Sequence, residues 1–167
     1  CPLATCTSTA SDGVQTIIDG AGGGAAPVLR ISAQAATTVI KLRLLRIIGG
    51  DSTGDGGGIR FNGQGTLELI ETTVSLNDAD AGGGIHVRGS GPATLLLLSN
   101  DNLITGNRAR SGGGIYLESA QLRMLAPGSS IYANTATETG GGLRIYATDA
   151  IDATATIGST GFQPLAA

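Results

Sequence analysis

Tryptophan is absent from this 167-residue chain, and the aromatic complement is two Phe and three Tyr. With aromatics at 3%, a globular core built around large rings is excluded, because such rings would have to supply much of its buried area. Histidine occurs once, as His86, so a metal site centred on it would need partners that the chain does not supply. Charged residues make up 14% and the net charge is −3. That leaves no basic surplus for nucleic acid or an anionic membrane surface. Long apolar runs are missing as well. Spanning a bilayer takes about 20 apolar residues, and the most hydrophobic segment, residues 39–48, is broken by Lys41, Arg43 and Arg46. No signal peptide is visible, yet the chain opens at Cys1 without a methionine, as expected of a mature product from which a signal peptide has been removed.

Cysteine is limited to Cys1 and Cys6. A short Cys1–Cys6 disulfide pinning the N-terminal segment outside the cell is the reading that asks least. A lipid on Cys1 and a bridge between subunits are the alternatives.

What the chain has in abundance is glycine, 28 residues, alongside 41% hydrophobic residues. Disordered chains have few apolar residues and high charge, so that class is excluded. The glycines are ordered along the sequence. A triple glycine followed by a branched aliphatic occurs at Gly56-Gly57-Gly58-Ile59, Gly82-Gly83-Gly84-Ile85, Gly112-Gly113-Gly114-Ile115 and Gly140-Gly141-Gly142-Leu143. Ahead of the later three runs stands an apolar residue three places before an asparagine: Val74 and Asn77, Ile104 and Asn107, Ile131 and Asn134. A small residue follows two places later, at Ala79, Ala109 and Ala136. A repeat of 26 to 30 residues built from short alternating segments marks a solenoid, one repeat per structural unit.

After each glycine run the sequence alternates with period two. The triplets Leu29-Arg30-Ile31, Ile59-Arg60-Phe61, Ile85-His86-Val87, Ile115-Tyr116-Leu117 and Leu143-Arg144-Ile145 place apolar residues on one face. A second apolar strand is expected at residues 39–42, 67–70, 95–98 and 122–125. A third is expected at 45–48, 73–76, 103–104 and 130–132, with 154–157 as its last copy. The fold class is therefore all-β, a parallel β-helix of about five coils of three short strands, with β-helix repeats over residues 27–157. Residues 1–26 read as an N-terminal cap or irregular first coil, and residues 158–167 as a C-terminal tail. Folding alone accounts for both landmarks: glycine suits turns that need positive φ or close backbone approach, and stacked asparagines form amide ladders.

The two motifs together resemble the repeats of chlamydial-type polymorphic outer-membrane proteins, in which a Gly-Gly-Ala-Ile-like element alternates with Phe-x-x-Asn. Here the second element reads Val74-Ser75-Leu76-Asn77, Ile104-Thr105-Gly106-Asn107 and Ile131-Tyr132-Ala133-Asn134, with Val or Ile in place of Phe. The resemblance covers roughly residues 48–146. It implies a right-handed β-helix of the pectate-lyase-like superfamily, export from a bacterium, and a structural or adhesive role at the cell surface or outside the cell. It transfers no functional residue, because the matching positions are structural in that family too. The absence of an Asn-x-Ser/Thr acceptor is compatible with a bacterial source.

Chemistry is harder to find. The outward column beside the glycines reads Arg30, Arg60, His86, Tyr116 and Arg144, and two places on Ser32, Asn62, Arg88, Glu118 and Tyr146. No two carboxylates fall on adjacent coils of this face, so the acid–base partnership of a polysaccharide lyase or hydrolase is not evident. A carbohydrate-active enzyme, with Arg88 and Glu118 as the residues to test, stands as the alternative to a non-enzymatic solenoid. His86 reads as an ordinary surface residue. Asp51, Asp55, Asp78 and Asp80 lie in successive turns and could offer oxygens to calcium, but Arg108 and Arg110 occupy the next turn, where they would pair with Asp78 and Asp80 instead. Residues 154–156 form one Thr-x-Thr unit without the ladder an ice-binding face requires. No catalytic residue, cofactor or metal ligand set is assigned. The expected partners are further copies docking head to tail into a filament, a host or matrix surface, or a glycan.

Overall fold

The computed structural model describes residues 14–21, 25–124, 127–148 and 151–158, and both cysteines, with the disulfide expected of them, lie outside these segments. The described residues wind through five coils. The first holds β1 (Thr16–Asp19), β2 (Leu29–Ala33) and β3 (Val39–Arg43), and the second β4 (Leu45–Ile48) and the long β5 (Ile59–Ile70). The third comprises β6 (Thr73–Ser75), β7 (Asp78–Ala81) and β8 (Ile85–Ser99). The fourth follows with β9 (Leu103–Thr105), β10 (Arg108–Ser111), β11 (Ile115–Glu118) and β12 (Gln121–Met124). The fifth has β13 (Ser130–Tyr132), β14 (Thr135–Thr139), β15 (Leu143–Tyr146) and β16 (Thr154–Ile157).

Every strand pairs in parallel with its counterpart one coil away, giving an all-β parallel solenoid with three faces. The first face stacks β1, β4, β6, β9 and β13, and the second stacks β7, β10 and β14. The third joins β2 and β3 to β5, β5 to β8, and β8 to β11 and β12, which carry β15 and β16. Two features differ from the strand assignment read from the sequence. The first and second apolar strands of a coil belong to one face, fused in β5 and β8, while the segment between the asparagine and the glycines is itself a strand. Residues 154–157 also pair with Gln121–Met124, so β16 belongs to the third face and not to the first.

The register sets the core. Equivalent residues lie directly above one another, as in Ile59↔Ile85↔Ile115↔Leu143 and Phe61↔Val87↔Leu117↔Ile145. Ile59, Phe61, Ile85, Val87, Ile115 and Leu117 are fully buried, with Ile47, Val74 and Ile104 meeting them from the first face. Ala79 and Ala109 are buried on the inner side of the second face. Ile145, expected inward, is 42% exposed, because β15 is paired on one side only among the described residues.

Each glycine run is a corner between the second and third faces. Its first residue takes the left-handed conformation, with φ of 70°, 65°, 64° and 66° at Gly56, Gly82, Gly112 and Gly140, where a Cβ would be strained. Its last lies backbone to backbone with the next coil: a Cβ on Gly84 would sit 2.6 Å from the Gly114 carbonyl oxygen and 2.9 Å from Asn107 Nδ2. Hydrogen bonds carry the parallel ladder through the corner, from Gly58 N to Gly83 O, Gly84 N to Gly113 O and Gly114 N to Gly141 O.

Candidate functional site

Because the corner is concave outward, it folds two outer faces toward each other. The residue just before each glycine run and the second residue after it, five positions apart, meet across the bend. Asp55 pairs with Arg60 at 3.2 Å, and Arg144 Nη1 donates to Thr139 Oγ1 at 2.6 Å. In the two coils between, the same positions hold Ala81 with His86 and Ser111 with Tyr116. The result is a polar hollow of about 360 Å³. One wall carries Asp55, Asp80, Arg110, Ser111 and Glu138, and the other His86, Tyr116, Glu118 and Arg144.

His86 was expected at the surface. It points outward from β8, yet it is 1% exposed, enclosed by its neighbours on adjacent coils and by the opposite wall. Its ring stacks on Tyr116 at 5.2 Å between centroids. Nε2 is 3.7 Å from Glu118 Oε2, and Nδ1 has no hydrogen-bond partner among the described residues. Across the corner stands Ala81, whose side chain has no polar atom to offer. Burial lowers the His86 pKa to about 4; Asp55 opposes that shift, and Arg60 and Arg88 add to it. The imidazole is therefore neutral at pH 7. Burial also raises Tyr116, against the pull of the Arg144 guanidinium, whose centre lies 5.1 Å from the ring centroid.

Most carboxylates of the hollow are engaged by arginine. Arg110 makes a fork to Asp80 at 2.7 and 3.0 Å and reaches Glu138 at 3.5 Å, which raises its own pKa. Arg88 Nε lies 3.3 Å from Glu118 Oε1 as an ion pair. Asp78 lies 3.9 Å from Arg108. Of the acids weighed as calcium ligands, Asp55, Asp78 and Asp80 thus face arginine, and no group of three or more metal-ligating side chains gathers among the described residues.

No family model, curated protein or solved structure matched the chain in three comparisons.

The repeated asparagines belong to the stack itself. Asn77 Nδ2 donates to Asn107 Oδ1 at 2.9 Å, and Asn107 Nδ2 to Asn134 Oδ1 at 3.0 Å. Each amide also donates to backbone carbonyls: Asn77 to Ile47 and Ser75, Asn107 to Val74, Asn134 to Ile104 and Tyr132. A second ladder, missed in the sequence, runs along the corner between the third and first faces. Thr72 N donates to Asn102 Oδ1 at 3.1 Å, and Asn102 N to Ser129 Oγ at 3.1 Å. Its signal was available: Thr72, Asn102 and Ser129 each stand two places before Val74, Ile104 and Ile131. A shallower hollow of about 290 Å³ lies on the third face, lined by Ser32, Gln34, Asn62, Arg88 and Ser90.

Proposed function

We propose that this solenoid is a non-enzymatic structural or adhesive module, secreted from or displayed on a bacterial cell, in keeping with its resemblance to polymorphic outer-membrane repeats. One observation carries the reading. The side chains that recur from coil to coil, the glycines and asparagines, are spent on stacking the coils, and what remains in the hollow differs in every coil. A scaffold whose repetition serves its own backbone presents surface, and surface is what adhesion uses. Its partners on this reading are a host or matrix surface, a glycan, or further copies joined end to end. No helix among the described residues is long and apolar enough to cross a membrane.

The purified chain should bind a cell or matrix surface while leaving acidic polysaccharides intact, with or without calcium. New reducing ends or unsaturated products would overturn the reading. A polysaccharide lyase or hydrolase is the second reading, favoured by the buried His86 close to Glu118 in a hollow; turnover abolished by Glu118→Gln or Arg88→Gln would establish it. For end-to-end assembly, light scattering at rising concentration should show growth into elongated particles, and a monomer throughout would contradict it.

A further inference from the structure

Arg110 and Arg144 line the corner hollow, and Arg60 and Arg88 pair with acids in its walls. Three of these four arginines face carboxylates: Arg60 with Asp55, Arg88 with Glu118, and Arg110 with Asp80 and Glu138. Arg144 has none among the described residues. Its Nη1 donates to Ser111 Oγ at 2.7 Å and Thr139 Oγ1 at 2.6 Å. A guanidinium carries five N–H donors, two of them on Nη1. The three on its Nε–Nη2 edge meet no acceptor among the described residues. That edge is the planar fork which matches a carboxylate with two parallel hydrogen bonds. The fork is also held in place: two hydroxyls anchor one side of the guanidinium and the Tyr116 ring lies 5.1 Å from its centre. A half-buried cation, fixed and uncompensated, is poised for an anion from outside the chain.

The wall of the same hollow has a second unusual feature. His86, 1% exposed in its wall, leaves Nδ1 unpartnered among the described residues, and buried polar atoms are seldom left so. The volume, about 360 Å³, is at the small end of the roughly 300–1,000 Å³ range of ligand pockets. Residues of four consecutive coils line it, three strand spacings or about 14 Å. Asp55, Asp80, Glu118 and Glu138 stand in the walls too, which disfavours a multiply charged ligand.

We propose that this hollow binds a small organic monocarboxylate, its carboxylate taken side-on by the Nε–Nη2 edge of Arg144. The inference goes beyond the adhesive reading and does not depend on it, so soluble probes test it apart from any adhesion assay.

The experiment is an amide-resolved NMR titration of the full chain with lactate, lactamide and inorganic phosphate. Lactate should give saturable shifts at Ser111, Tyr116, Thr139 and Arg144, whereas lactamide, its neutral counterpart, should not. Arg144→Gln should weaken lactate by about tenfold or more, as expected for a lost charge-assisted pair. Arg144→Lys, which keeps the charge and loses the fork, should weaken it also and provides a second variant if the first does not fold. Arg123→Gln, an exposed cation on β12, should leave it unchanged. Absent saturation with lactate, undiminished binding by both Arg144 variants, or equal affinity for phosphate or lactamide would each overturn the proposal.

Discussion

The imidazole of His86 lies against the phenol ring of Tyr116, with centroids 5.2 Å apart and planes 29° from parallel. The two residues are register partners on β8 and β11, and Arg144, the next partner on β15, continues the column over the far side of the pair. Flat side chains on successive rungs fall into contact because parallel strands repeat at about 4.8 Å. The column has a cost: it strips water from the only histidine.

That cost makes stability depend on pH with a definite sign. Above pH 6.5, the ordinary value, His86 is neutral folded or unfolded and contributes no slope. As pH falls from there toward about 4, the unfolded chain takes up a proton that the folded chain refuses. Stability therefore drops, by on the order of 3 kcal/mol at the lower limit. Burial, with Asp55 on one side and Arg60 and Arg88 on the other, sets where the fall ends. Urea midpoints of wild type and His86→Gln between pH 7 and 4 check this. The wild type should lose ground relative to the variant as pH falls, and a pH-independent difference would contradict it. Glu68, held low by its hydrogen bond from Lys41, adds a separate loss only once pH falls through the carboxylate range, in both proteins.

Asn107→Ala should destabilise by about 3 kcal/mol. The change removes four hydrogen bonds of a buried side-chain amide, two accepted from Asn77 N and Nδ2 and two donated to the Val74 carbonyl and Asn134 Oδ1, and strands the Asn77 backbone N–H. Chemical denaturation is the measurement, and a loss below about 1 kcal/mol, the worth of a single exposed hydrogen bond, would contradict the ladder.

Two glycines should respond in opposite ways. At Gly84 a new Cβ meets the Gly114 carbonyl oxygen at 2.6 Å, so Gly84→Ala should push adjacent coils apart and abolish soluble folded protein. At Gly54 a Cβ meets nothing within 4 Å, so Gly54→Ala should be neutral or stabilising by up to about 1 kcal/mol. Expression yield and thermal midpoints of the pair decide it; similar behaviour would contradict the close corner.

Leu76 holds φ of 58° with its side chain 64% exposed, at the turn position where the next coil has Gly106 with φ of 63°. Leu76→Gly removes the left-handed strain and exposes little, so a gain of about 0.5–1 kcal/mol is expected after the entropy that glycine costs. A lower thermal midpoint would contradict it.

How far the sequence reads is visible in particular residues. Phe61 and Leu117 were legible as core from alternation alone, and both are fully buried. Asp78–Ala81 was not legible as a strand, since Asp78 and Asp80 read as turn residues. It forms one because Ala79 and Ala81 register with Ala109 and Ser111 in the neighbouring coil. Residues 154–157 carried the right pattern for a strand but no information about which face would accept it. His86 was misread for a different reason. Alternation assigns inside and outside relative to one sheet, and cannot see that a glycine corner brings a second sheet over the outer face. Arg144 was likewise indistinguishable from Arg60 until their neighbours showed that one pairs with Asp55 and the other with hydroxyls.

The glycine corner, stacked coil upon coil, underlies both the core and the hollow. Scalar couplings transmitted through hydrogen bonds, measured by NMR, test it most directly. The amide nitrogens of Gly58, Gly84 and Gly114 should couple to the carbonyl carbons of Gly83, Gly113 and Gly141, their acceptors one coil away. Couplings to carbonyls four residues back, or in an antiparallel order, would contradict the stacked-coil account.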